Sequence, residues 1–284
     1  MRHPIIMSAC LGLALAGCAE RSERAEVERA LQSIDAIDSA NLAEIMLDAG
    51  DPDEAVAYFQ TASAENPDRV DLRRGLATAL VRAKQPARAT SVWRQVVASP
   101  GATSADRVEY ADALIRSGDW SAAKTQLDSI PPTFESYERY RLEAMVADGN
   151  QQWDKADSFY QTAAGLTTTP ASVLNNWGYS KLSRGDYPGA ERLFAEALSH
   201  DEGLFTAKNN LVLARGAQRN YTLPVVRTTQ TERAQLLHTM ALAAIKQGDV
   251  ATGQSLLREA VETHPQHFEA AARALDALDA NVAN

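Results

Sequence analysis

The feature that most restricts this chain is a pattern that returns about every 34 residues. Its clearest copy runs from Ala171 to Leu204, where Trp177-Gly178 is followed by Gly185-Asp186 and then by Ala190, Phe194 and Ala197. Apolar or small residues at these steps put one stripe on each of two short helices, with Gly185-Asp186 as the turn between them. A helical hairpin of this size cannot bury its stripe alone, so copies must stack on one another. The spacing therefore predicts an all-α fold of consecutive hairpins.

Moved along the chain, the pattern gives five consecutive units over 36–204. The first covers 36–69, with Leu42-Ala43, Met46, Gly50-Asp51, Ala55, Phe59 and Ala62, and ends at Pro67, whose ring removes a donor and stops the helix. The second covers 70–103, with Leu76-Ala77, Leu80, Ala89 and Trp93, and Gln85-Pro86 where a glycine turn is expected. The third, 104–136, has Tyr110-Ala111, Leu114, Gly118-Asp119, Ala123 and Leu127. The fourth, 137–170, has Ala144, Ala156, Tyr160 and Ala163 with a looser turn at Gly149-Asn150; the fifth is 171–204. Gly50, Gly118, Gly185 and Gly248 stand 68, 67 and 63 residues apart, close to twice the unit. Phe59, Trp93, Trp177 and Phe194 are expected to pack between helices, and Gly178 to let two helices approach closely. The acids after the turn glycines, Asp51, Asp119, Asp186 and Asp249, are expected to start helices.

Register breaks after Leu204. Residues 205–230 read as one helix containing Asn209-Asn210-Leu211, followed by a stretch from Asn220 to Val226 that is extended by composition, with Pro224 biasing its predecessor away from helix. Helix restarts at Thr231-Glu232, with Thr231 the expected N-cap. Residues 231–284 then hold a last unit (Met240-Ala241, Gly248-Asp249, Leu257, Ala260, Pro265) and a terminal helix from Phe268 to Leu278 that would cap the open stack.

The formal net charge of −9 argues against a nucleic-acid surface and against adhesion to anionic lipid. After the N-terminus no apolar run approaches the roughly 18 residues that span a bilayer. The N-terminus itself differs: Met1-Arg2-His3 is a basic start, and the apolar run Ile5 to Ala16 leads to Leu15-Ala16-Gly17-Cys18. Residues 1–17 thus read as a cleavable signal segment and 18–35 as a charged tether. Cys10 would be removed with the signal, so Cys18 would be the sole cysteine and no disulfide could form.

Nothing resembles catalytic machinery, for GxSxG, HExxH and a glycine-rich phosphate loop do not occur. His264-Pro265-Gln266-His267, with His200 and His238, lacks carboxylates at helical ligand spacing, so neither a metal nor a cofactor is expected. What remains is a surface. First helices of such hairpins line one face of the stack, and the steps that miss the core include Arg74, Thr78, Arg141, Asn175, Tyr179, Leu182 and Asn209. Asn175-Asn176 and Asn209-Asn210 recur 34 residues apart. Their amides either grip the backbone of an extended peptide, as donor and acceptor, or hold neighbouring units together. Leu242 and Ile245 form either an apolar docking strip or a contact with the terminal helix.

Hairpins of this length and consensus resemble tetratricopeptide repeats, which implies a right-handed α-α superhelix with a C-terminal capping helix. Leu15-Ala16-Gly17-Cys18 resembles the lipobox of bacterial lipoproteins. The alternative is an ordinary signal peptide beside a chance cysteine. The lipobox likeness implies lipidation of Cys18 and, with Ala19 in place of a retention aspartate, the periplasmic face of the outer membrane. Cys18, the paired asparagines, Thr231-Glu232-Arg233-Ala234-Gln235-Leu236-Leu237-His238 and His264-Pro265-Gln266-His267-Phe268 together resemble the TadD family of Flp/Tad pilus assembly. That resemblance implies a non-enzymatic scaffold whose partners are the pilus secretin or associated assembly proteins, with the membrane met through the lipid anchor only. The alternative is a general periplasmic adaptor for outer-membrane protein assembly or cell-wall synthase activation.

Overall fold

The structure, a computed structural model, describes residues 41–282, so the signal segment, the tether, Cys10 and Cys18 lie outside the described residues. Among the described residues every regular element is a helix, and none is long and apolar enough to cross a membrane. They form two compact units, one ending at Asp119 and the other beginning at Trp120.

The first unit holds α1 (41–48 of the described residues), α2 (Pro52–Glu65), α3 (Val70–Arg82), α4 (Pro86–Val97) and α5 (Ser104–Arg116). Local chemistry starts them. Asp51 accepts from the amides of Asp53 and Glu54, and Pro52 and Pro86 occupy first turns, where their missing N–H has no helical partner to lose. Thr103 and Asp106 form a reciprocal capping box. From α2 to α5 each helix packs on the next, burying Phe59, Leu80, Trp93 and Val96. Gly75 makes the α2–α3 approach possible, since a Cβ there would sit 2.2 Å from Phe59 Cε1.

The second unit holds α6 (Trp120–Asp128), α7 (Tyr137–Gly149), α8 (Trp153–Gly165), α9 (Ala171–Ser183), α10 (Tyr187–His200), α11 (Phe205–Ala217), α12 (Gln230–Lys246), α13 (Val250–Thr263) and α14 (Glu269–Val282). Consecutive helices pack pairwise, and α11 also touches α9, so first helices of neighbouring hairpins lie side by side. Phe194, Leu142, Leu236, Leu237 and Met240 are fully buried. Gly178 behaves as expected: a Cβ there would meet Phe194 Cε1 at 2.6 Å.

The turns keep the period more faithfully than the glycines do. Left-handed backbone occurs at Lys84, Gly118, Gln151, Gly185, Arg219 and Gly248, the first five in 33- or 34-residue steps. Lys84 and Gln151 thus do the work of the missing glycines, each at φ 58°. Gly50, which shares the glycine spacing, has no positive φ; instead Arg82 donates to the carbonyls of Met46 and Gly50.

Two further expectations are corrected. The helix after the irregular stretch begins at Gln230, and its cap is Thr229, because Glu232 sits three residues on and completes a second capping box. Asp249 precedes α13 but makes no cap bond; its carboxylate accepts from the Tyr221 hydroxyl and from Arg219 Nη1 instead. The irregular stretch lies within the second unit, held by Leu223 against Leu237 and by Val226 against the core of α9, α10 and α11.

Candidate functional site

In the second unit the faces of α7, α9 and α11 that miss the core meet in a groove of about 530 Å³. On α9, Val173, Leu174 and Gly178 turn inward, which leaves Asn175, Asn176, Tyr179 and Ser183 for the groove. On α7, Ala144 and Ala147 are buried while Met145 and Asp148 line it. Trp120 and Trp153, the first residues of α6 and α8, supply aromatic walls; Tyr160, Ser180, Thr206 and Asn210 complete it. Tyr179 is 59% exposed and Trp120 42%, so both rings present apolar surface to the groove.

A polar network sets the geometry. Tyr160 Oη donates to Asp148 Oδ2 at 2.8 Å and Ser180 Oγ to Asp148 Oδ1 at 2.7 Å. Burial, and then the neighbouring Asp148, push the Tyr160 phenol well up, so it stays a donor. Asn210 Nδ2 donates to Asn175 Oδ1 at 3.1 Å across α9 and α11, and Thr239 Oγ1 to Asn209 Oδ1 at 2.8 Å across α11 and α12. Beside the groove, Asp157 gathers Trp177 Nε1 at 2.6 Å, Lys181 Nζ at 2.9 Å and the Arg184 guanidinium. Burial alone would raise the Asp157 carboxyl, but the bonds from Lys181, Trp177 and Arg184 outweigh it and hold it below the usual range. Arg184 also covers the Trp153 ring at 5.5 Å.

Of the residues projected from sequence, Asn175 and Tyr179 line this groove. Arg141 stands beside it, with Nη1 3.6 Å from Met145 Sδ. Asn209 is turned to Thr239, and its neighbour Asn210 faces the groove instead. Arg74 and Thr78 belong to the first unit, where Thr78 is half-buried. Arg74 binds Asp106 through Nε at 2.6 Å and Nη2 at 2.8 Å, and the Gly101 carbonyl at 2.8 Å. Its role there is to join α3 to the start of α5. Sequence reasoning missed Trp120, Trp153 and Asp148. The rings had a signal: Trp120, Trp153 and Tyr187 each open a second helix, 33 and 34 residues apart. Asp148 had none, being one acid among many.

A second groove of about 410 Å³ is lined by Leu182, Tyr187, Leu213, Leu242 and Lys246, among others. It separates the two residues paired in the sequence reading: Leu242 is 46% exposed, whereas Ile245 packs on Gly253 in the core. Two of the histidines pack on one ring. His238 and His264 flank the Phe268 ring at 5.4 and 5.0 Å, and burial pushes the His238 imidazole down. Among the described residues no three His, Cys, Asp or Glu are grouped as metal ligands.

Residues 46–99 match the tetratricopeptide repeat family. No curated protein sequence matches the chain. Solved structures with the same arrangement include a chain of the APC/C hetero-tetramer Cut9-Hcn1, at TM-score 0.60 and 12% identity over 83% of this chain and 48% of that one. The type IV pilus biogenesis factor PilW aligns at TM-score 0.58 and 15% identity over 83% of this chain and 96% of its own. A tetratricopeptide repeat protein from Parabacteroides merdae aligns at 0.56 and 13% over 84% and 96%. The fold is that of tetratricopeptide repeats. This chain spans about half the length of the Cut9-Hcn1 chain, and identities this low show the fold alone.

Proposed function

We propose that this tetratricopeptide chain is a non-enzymatic scaffold that holds an extended segment of a protein partner in the groove of α7, α9 and α11. The observation that carries this is the groove itself, where exposed rings and side-chain amides share one face. Amides serve the partner's backbone and rings its side chains, the division of labour that peptide recognition needs. Stacked hairpins provide that surface without supplying chemistry.

The finer proposal is that the protein is anchored through lipid on Cys18 at the periplasmic face of the outer membrane. There it would help assemble or localise the secretin machinery of a Flp/Tad pilus. It rests on the sequence likenesses at Cys18, the asparagine pairs, 231–238 and 264–268. That PilW, a pilus biogenesis factor, shares the fold is in keeping with it. The test replaces the native gene with Cys18→Ala and follows both proteins by fractionation and immunoblot. The variant is expected to leave the outer-membrane fraction, with loss of secretin from that fraction. Wild-type membrane recovery would reject the anchor, and unchanged secretin in a strain lacking the gene would reject the pilus role.

A further inference from the structure

We propose that the second groove, lined by Leu182, Leu213 and Leu242, continues the partner site. It receives an apolar side chain of the same bound segment, with an acidic residue beside it that Lys246 meets. This rests on the groove of α7, α9 and α11 being where the partner is held. The two hollows share helices and faces. On α9, Asn175 and Tyr179 line the first and Leu182 the second, at steps of four and three residues. On α11, Thr206 and Asn210 line the first and Leu213 and Ala217 the second, again three or four apart. Such steps keep to one face of a helix, so one floor serves both hollows. From Asn175 to Leu182 is about 10 Å along the helix axis, so a segment that reaches both is at least about three extended residues long.

The chemistry changes along that floor. The first groove offers rings and amides, whereas the second brings together leucines from three helices, with Leu242 46% exposed. One exposed leucine is ordinary, but three gathered in a hollow of about 410 Å³ suit an aliphatic or aromatic side chain. On α12, Leu237, Met240, Ala241 and Ala244 are buried, which leaves Leu242 and Lys246 for the groove. Lys246 is the one charged residue of its lining, and it is exposed. Among the described residues no carboxylate pairs with it. The acids next to lining residues in the chain are engaged elsewhere. Asp249 accepts from Arg219 Nη1 and the Tyr221 hydroxyl, and Asp186 from the Gly189 amide and Lys181 Nζ. A carboxylate beside the bound apolar side chain thus finds a cation in contact range, while a basic neighbour is repelled. The formal net charge of −9 does not oppose this at contact, because charges farther than about 10 Å are screened.

The test pans a random peptide library on the full-length protein and titrates the resynthesised peptides by fluorescence anisotropy. Titrations use the wild type, Tyr179→Ala, Leu242→Ala and Lys246→Gln, all changed at exposed positions, with equal melting temperatures as the check on folding. Enriched peptides should carry an apolar residue flanked by Asp or Glu. Truncating that apolar residue to alanine should weaken binding about tenfold. Changing the flanking acid to its amide should weaken wild-type binding about two- to fivefold and leave Lys246→Gln indifferent. The acid's effect should also shrink in high salt. Leu242→Ala and Tyr179→Ala should each weaken the same peptides several-fold. Binding that needs Tyr179 yet ignores Leu242 and Lys246 would overturn the continuation while the first groove stands. Binding that needs Leu242 but shows no coupling of the peptide acid to Lys246 would overturn the choice of an acidic neighbour. No enrichment, or enriched peptides that ignore Tyr179, would overturn the first groove and its continuation together.

Discussion

Gly178 shows how much a single side chain, or the lack of one, decides in this molecule. The absent Cβ leaves space that Phe194 fills completely, with the ring 0% exposed. Gly178→Ala should therefore overpack the α9–α10 contact and destabilise the second unit by about 1–3 kcal/mol, although alanine favours helix elsewhere. Urea denaturation checks it, and a neutral or stabilised variant would show that Phe194 can move aside. Gly178 was readable from its phase in the hairpin. The strained partners of the turn glycines were not: Lys84 and Gln151 take left-handed backbone because the period demands a turn there, and nothing in their chemistry announces it.

Between elements, charge replaces the contacts that apolar stripes cannot supply. Asp106, 4% exposed at the start of α5, is held by Arg74 from α3 and by Thr103. Burial alone would raise its carboxyl, but bonds from Arg74 and Thr103 outweigh it, and its pKa lies below the ordinary value. A depressed folded pKa contributes stability that is complete above the unfolded value, about 3.9, and is lost as pH falls through the folded one. Asp106→Asn should thus cost about 1–3 kcal/mol at neutral pH, with the gap from wild type closing below about pH 4. Thermal melts from pH 7 to 3 check this; a gap independent of pH would mean that Asp106 acts through shape alone. The irregular stretch before α12 follows the same logic. Buried Lys208 reaches Glu232, which also closes the Thr229 capping box, so α12 docks on α11 without an intervening helix.

In the molecule as a whole, Asn209 is spent on packing between helices while Tyr179 is left on the groove. Asn209 bonds Thr239 and spans α11 to α12, whereas Tyr179 stands 59% exposed in the groove. Asn209→Ala should lower stability by roughly 1 kcal/mol with partner capture intact, and Tyr179→Ala should weaken capture at unchanged stability. Calorimetry with peptide titration separates them, and reversed effects would exchange the two roles. The hairpin period was written in the sequence because every unit must bury the same stripe, and local signals suffice to place a helix, a turn and a stripe. Which of the outward residues would face a partner was not. Arg74 became a strut and Asn209 a staple, while Asp148, Trp120 and Trp153 came together from three helices. Those outcomes depend on what each side chain meets across the gap to the next hairpin, and only the packed structure brings those neighbours within bonding distance.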